Sequence, residues 1–174
     1  APTTVAETTT TVAPSTTIDD AALLAQAETA YLEAFDVTKE IIRDPTNPTN
    51  EDLLAKHFTG PNLTLNQEAL ELTIDGNFVA RENASNPSFA TVVESAEFVE
   101  GEAEFARLTV CEFNSDRIFE VGTAPNGGDT LRRDDPVSIL ITIRMEFVDG
   151  TWKSRSGTRG EEIRDEVERC SDAS

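Results

Sequence analysis

Residues 137–156 read VSILITIRMEFVDGTWKSRS, and the period of this stretch decides the fold. Val137, Ile139, Ile141, Ile143, Met145 and Phe147 share one parity, while Ser138, Thr142, Arg144 and Glu146 share the other; only Leu140 breaks the alternation. Side chains two apart lie on the same face of a strand, so this is a long, half-buried strand. Asp149-Gly150, the strongest hairpin signal in the chain, follows it. A two-residue turn there sets Phe147 opposite Trp152 and Glu146 opposite Lys153. One pair is apolar and the other carries opposite charges, as cross-strand neighbours on two different faces should.

Upstream, ATVVESAEFV, a tight turn at Glu100-Gly101 and EAEFARLTVCEF form an earlier hairpin. DRIFEVG reads as a shorter strand and TAPNGGDTLRRDDP as a loop. The first half of the chain has a different period. Leu24, Ala27, Tyr31, Ala34, Phe35, Val37, Ile41 and Ile42 recur at helical spacing between an acidic cap at residues 17–20 and Pro45. A second, short helix follows a Thr49-Asn50-Glu51-Asp52 cap and closes at Gly60-Pro61. A third, capped by Asn62 or Thr64, ends at Gly76. Helices first and antiparallel strands afterwards predict an α+β fold, three N-terminal helices packed on a curved antiparallel sheet. Without βαβ alternation, a nucleotide-binding parallel sheet is not expected.

The chain has 174 residues, enough for one domain. Its 33 acidic residues against 14 basic ones give a net charge of −19, which repels phosphate backbones and anionic headgroups. Nucleic acid and acidic membranes are therefore not expected partners. No apolar run approaches the roughly 18 residues of a membrane span. Residues 1–17, APTTVAETTTTVAPSTT, cannot bury enough surface to fold and read as a disordered tether ahead of a single domain over residues 18–174. Such tethers follow an export signal or lipid anchor, so an exported or cell-surface chain is expected, with membrane attachment only through a removed N-terminal segment. The two cysteines, Cys111 in a strand and Cys170 in the polar tail, are then expected to pair. Cys111 lacks the neighbouring base of a nucleophile and the companions of a metal ligand.

The order of elements, with AYLEAF in the first helix, RDPTNP after it, and a last hairpin spelled by Arg144, Glu146, Asp149, Gly150 and Trp152, resembles the nuclear transport factor 2-like superfamily. It resembles in particular secreted or lipoprotein-type bacterial members with a Thr/Pro-rich tether and paired cysteines. The resemblance covers residues 18–158 and implies a cone of three helices closed by a strongly bent sheet. The superfamily holds isomerases, dehydratases and cyclases as well as binding-only members, so fold alone does not select a function.

Tyr31, the only tyrosine, resembles in placement the oxyanion-stabilising phenol of steroid-isomerase-like members, but no Asp lies within an apolar strand to partner it, and a buried core tyrosine with its hydroxyl satisfied is the favoured reading. Asp75 and Asp116 read as surface positions. His57, the only histidine, falls at a helix end and reads as structural, with a catalytic base as the alternative. Asp129, Asp134 and Asp135 lack the spacing of a calcium loop, and no metal or cofactor is expected. Arg107, Arg144, Lys153 and Arg155 are expected to pair with Glu94, Glu104 and Glu146 across the strands; a carboxylate-accepting face is the alternative. The favoured expectation is a non-catalytic domain that binds a small apolar ligand, with Tyr31, Phe35, Phe105, Met145 and Trp152 lining its site, or a protein partner. A cone-pocket lyase, isomerase or cyclase using Tyr31 with His57 or a carboxylate is the alternative, and a homodimer through the sheet a third reading.

Overall fold

The computed structural model describes residues 19–164 and Cys170. The tether expected over residues 1–17 and most of the acidic tail lie outside them. The described chain is α+β, with helices α1 (Asp20–Arg43), α2 (Asn50–His57) and α3 (Gly60–Asp75) ahead of the strands. Those are β1 (Phe78–Arg81), β2 (Phe89–Val99), β3 (Glu102–Asn114), β4 (Arg117–Glu120), β5 (Thr130–Arg133), β6 (Val137–Val148) and β7 (Thr151–Arg164).

Local chemistry sets most boundaries. Asp19 caps α1 by accepting from the Ala21 N–H, and Asp44, held out of the helical region by Pro45, ends it. Thr49 does not cap α2; its hydroxyl donates to Asn47 Oδ1 at 2.8 Å. Gly60-Pro61 opens α3 and does not merely close α2, so α3 starts before the expected Asn62 or Thr64. Proline suits a first turn because its missing N–H would have no partner there.

The strands form two antiparallel sheets, β2-β3-β6-β7 and β1-β4-β5, in place of the one continuous sheet expected. β1 lies in a stretch to which the sequence assigns no element, and β5 in one read as a loop. Strands of four residues carry too few alternating positions to show a period. The β6–β7 register is the one the sequence requires: Phe147 faces Trp152, Glu146 faces Lys153, and Asp149 and Gly150 turn at φ 52 and 81. β7 runs past Ser156 because pairing with β6 holds the polar GTRGEEIR stretch in the ladder.

Ile139, Ile141, Ile143 and Met145 of β6 join Ala106, Leu108 and Val110 of β3 on one apolar face, and α1 covers it with Ala27 and Tyr31. A second cluster, Ala34, Ile41, Leu54, Phe58 and Leu70, joins the three helices. The other face of β3 carries Cys111 and Phe113, buried under Cys170 with Phe89 and Val93 packed against them. The expected Cys111–Cys170 disulfide is present, with a Cα–Cα distance of 5.3 Å.

Asp116, read as a surface residue, has a fully buried side chain. Arg43 donates to it twice, Nε at 2.8 Å and Nη2 at 3.0 Å, and Ser88 Oγ donates at 2.7 Å. The end of α1 is thereby fastened to the β3–β4 turn. Removing one partner of a buried pair strands the other charge, so Arg43→Met is expected to destabilise by about 3–5 kcal/mol; a urea midpoint that barely moves would refute this. Opening the disulfide, whose cysteines are 59 residues apart, should cost about 4 kcal/mol in the chain-entropy model. Urea melts with and without reductant measure it.

Candidate functional site

Among the described residues, two places hold the candidate side chains Tyr31, His57 and Trp152. The first is internal. The buried Tyr31 hydroxyl donates to Glu112 Oε1 of β3. Burial, then the adjacent carboxylate, raises the phenol far above its usual pKa, so it stays protonated. Burial also raises the Glu112 carboxyl, opposed by the Tyr31 bond and by the Arg159 cation. Sequence reasoning sought an aspartate within an apolar strand and missed this glutamate. The signal was there: Glu112 has the parity of Leu108 and Val110, which face the core.

The second place is a groove of about 500 Å³ between α1, the end of α2 and the β6–β7 turn. Backbone pairing builds it. Phe58, next after His57, bridges to Ser154, two beyond Trp152, and the Thr59 N–H donates to Ser154 O at 3.0 Å. Asn62 Nδ2 adds a bond to Ser154 Oγ at 2.8 Å. α1 presents Ala22, Ala25, Thr29 and Ala30 as the facing wall, with one larger polar residue, Gln26, among them and Glu33 at its end. Small side chains at this spacing leave room that larger ones would fill.

His57 lines the groove and is only 9% exposed. Its ring makes no hydrogen bond among the described residues, yet its nitrogens are not among the shielded polar atoms. Burial first, then the neighbouring Lys56 cation, lowers its pKa; Glu33 opposes this and Lys153 adds to it. The neutral ring offers the groove one donor and one acceptor. Trp152 closes the floor, its ring 5.2 Å from that of Phe147 and 6.3 Å from that of Phe98.

The five residues expected to line one interior do not share a site. Tyr31, Met145 and Trp152 lie in the main core cluster, and of the five only Trp152 borders the groove. Phe35 is buried on α1 with the Lys39 ammonium 4.8 Å from its ring centroid. Phe105 is out of phase with Ala106 and sits on the opposite sheet face, where the Arg144 guanidinium stacks 4.1 Å from its ring centroid. That face carries ion pairs: Arg155–Glu146 uses an expected partner, while Arg107–Glu97 and Arg144–Glu102 use others. Glu94 accepts from Thr109 instead, and Lys153 Nζ donates to Ala55 O at 2.7 Å. Asp129 pairs with Arg81 and accepts from the Gly122 N–H at 2.9 Å, while Asp134 lies 3.9 Å from Arg117. No metal-holding cluster of three or more His, Cys, Asp or Glu occurs among the described residues.

No family model matches the chain, and no curated protein matches it. Among solved structures, the intermembrane space region of chloroplast protein ARC6 aligns at 12% identity over 76% of this chain and 95% of that one, with a TM-score of 0.48. A de novo β-sheet design aligns at 16% identity over 83% and 95%, with a TM-score of 0.37. At such scores neither likeness defines this chain's fold or function.

Glu112 makes stability depend on pH. Its folded pKa lies above the unfolded value of about 4.3, so the folded state binds the proton more tightly. Its contribution therefore improves as pH falls from neutral through the folded pKa, and levels off below the unfolded one. Glu112→Gln keeps an acceptor for Tyr31 and removes the charge. The variant is expected to be more stable than wild type at pH 7, with the gap closing towards pH 5. Thermal melts at both pH values test this, and a gap independent of pH contradicts it.

Proposed function

We propose that this chain is a non-catalytic binding module and that the groove between α1, α2 and the β6–β7 turn takes a small apolar ligand. The observation that carries the reading is His57, nine-tenths buried and unpartnered on an otherwise largely small and apolar wall. Its ring nitrogens are open to the groove, so the imidazole offers a ligand one donor and one acceptor beside the apolar wall. The volume falls in the range of small-molecule sites, roughly 300–1,000 Å³. A small ligand is better supported than a homodimer through the sheet, whose outer face is occupied by Arg–Glu pairs.

We take the module to work outside the cytoplasm, secreted or at the surface of a bacterial cell, as a nuclear transport factor 2-like cone on its Thr/Pro-rich tether. Support comes from the disulfide and the helices-then-strands order. A lyase, isomerase or cyclase reading draws on the Tyr31–Glu112 bond, but it needs a substrate route to that phenol. Tyr31 borders neither this groove nor the second one, between the start of α1 and the β2–β3 turn.

Trp152 is the only tryptophan, so its emission reports on the groove. Titration with 1-octanol is expected to change it saturably. Ala25→Phe, on an exposed wall position, should abolish the change while leaving the circular dichroism spectrum intact. A saturable response that survives Ala25→Phe would place binding elsewhere and sink the proposal.

A further inference from the structure

The charges around His57 run against the rest of the molecule. Lys56 and Lys153 both act on its ring, with Glu33 the opposing anion, two cations to one anion in a chain of net charge −19. Lys153 is engaged with the Ala55 carbonyl, which leaves its positive charge in place. Lys56 and Glu33 form no ion pair among the described residues. Basic residues in the last turn of a helix ordinarily serve its carbonyls. Here Lys153 and the Phe58 N–H occupy the Ala55 and Leu54 carbonyls, and neither Lys56 nor His57 bonds to any. Their place at the negative end of α2 favours both residues, and without a carbonyl to serve they keep their donors for the groove that they line.

Resting on the groove reading above, we propose that the ligand is an amphipathic carboxylate, its headgroup held by His57 and Lys56 and its aliphatic chain lying along Ala22, Ala25 and Ala30 onto Trp152. The His57 ring N–H donates to a carboxylate oxygen and the Lys56 ammonium supplies the countercharge, a charge-assisted arrangement stronger than a neutral one. The apolar wall provides burial for the chain. Glu33 lies on the α1 side and opposes the headgroup, so it limits affinity and does not create it. Proximity of an anion favours the imidazolium, so ligand binding draws the His57 titration upward.

The test compares octanoate, 1-octanol and octylamine, each well below its self-association limit, by Trp152 fluorescence. The titration of His57, the only histidine, is followed by NMR. Octanoate should bind roughly fivefold tighter than octanol, about 1 kcal/mol. Lys56→Met should remove that advantage, Glu33→Gln should enlarge it, and the His57 pKa should rise with octanoate alone. Both substitutions are at exposed positions, so a loss of binding is not a loss of fold. Equal affinity for octanoate and octanol overturns the headgroup assignment and leaves the groove standing. Preference for octylamine, weakened by Glu33→Gln, overturns it in favour of an amine. Failure of all three to bind overturns the groove reading as well.

Discussion

The apolar face shared by β3 and β6 must be covered, and the rest of the molecule is arranged around how α1 covers it. Ala27 of α1 is fully buried against that face, a small residue that lets helix and sheet approach closely. One helical turn on, the same stripe carries Tyr31, whose ring packs with the core while its hydroxyl needs an acceptor. Glu112 supplies one from within the strand. A carboxylate on the core face is unfavourable alone; facing a phenol that cannot ionise, it becomes a satisfied hydrogen-bond partner. The pair follows from laying a tyrosine-bearing helix on this sheet.

Two further fastenings hold that arrangement. Arg43, the last residue of α1, reaches the buried Asp116 just beyond β3, so both ends of the helix–sheet contact are defined. On the opposite face, Cys170 covers Cys111 and Phe113, which explains why β3 is buried on both sides there. The disulfide thus does more than close a loop: it turns an exposed strand face into a small second core.

The groove follows from the connections and not from the core. Because Phe58 and Thr59 pair with Ser154, the end of α2 is held beside the start of β7, and His57 comes to lie beside Trp152. Neither residue was chosen by its neighbours in the chain for this role. With Tyr31, Met145 and Trp152 packed into the interior, the concavity beside Trp152 lies at the surface.

What the sequence by itself determined is what local rules govern. The alternation of Val137 to Phe147, the Asp149-Gly150 turn and the register of Phe147 with Trp152 depend on residues a few positions apart. So do the helical stripe of α1 and the class of fold. The pairing of Cys111 with Cys170 followed from there being only two cysteines and an expected oxidising compartment. Even Glu112 was legible through its parity, had charge not been read as a mark of exposure. What only the tertiary structure decided depends on partners far apart in sequence. Asp116 is buried because Arg43 arrives from the other side of the fold to neutralise it, and Phe105 faces outward because one position of phase separates it from Ala106. The four-residue β1 and β5 form a second sheet only because β4 lies between them. His57 looked like an ordinary helix end, since nothing nearby in the chain shows that Ser154 will draw it against Trp152. Burial and hydrogen-bond satisfaction are properties of three-dimensional neighbours, and a linear pattern carries them only where those neighbours are also close in the chain.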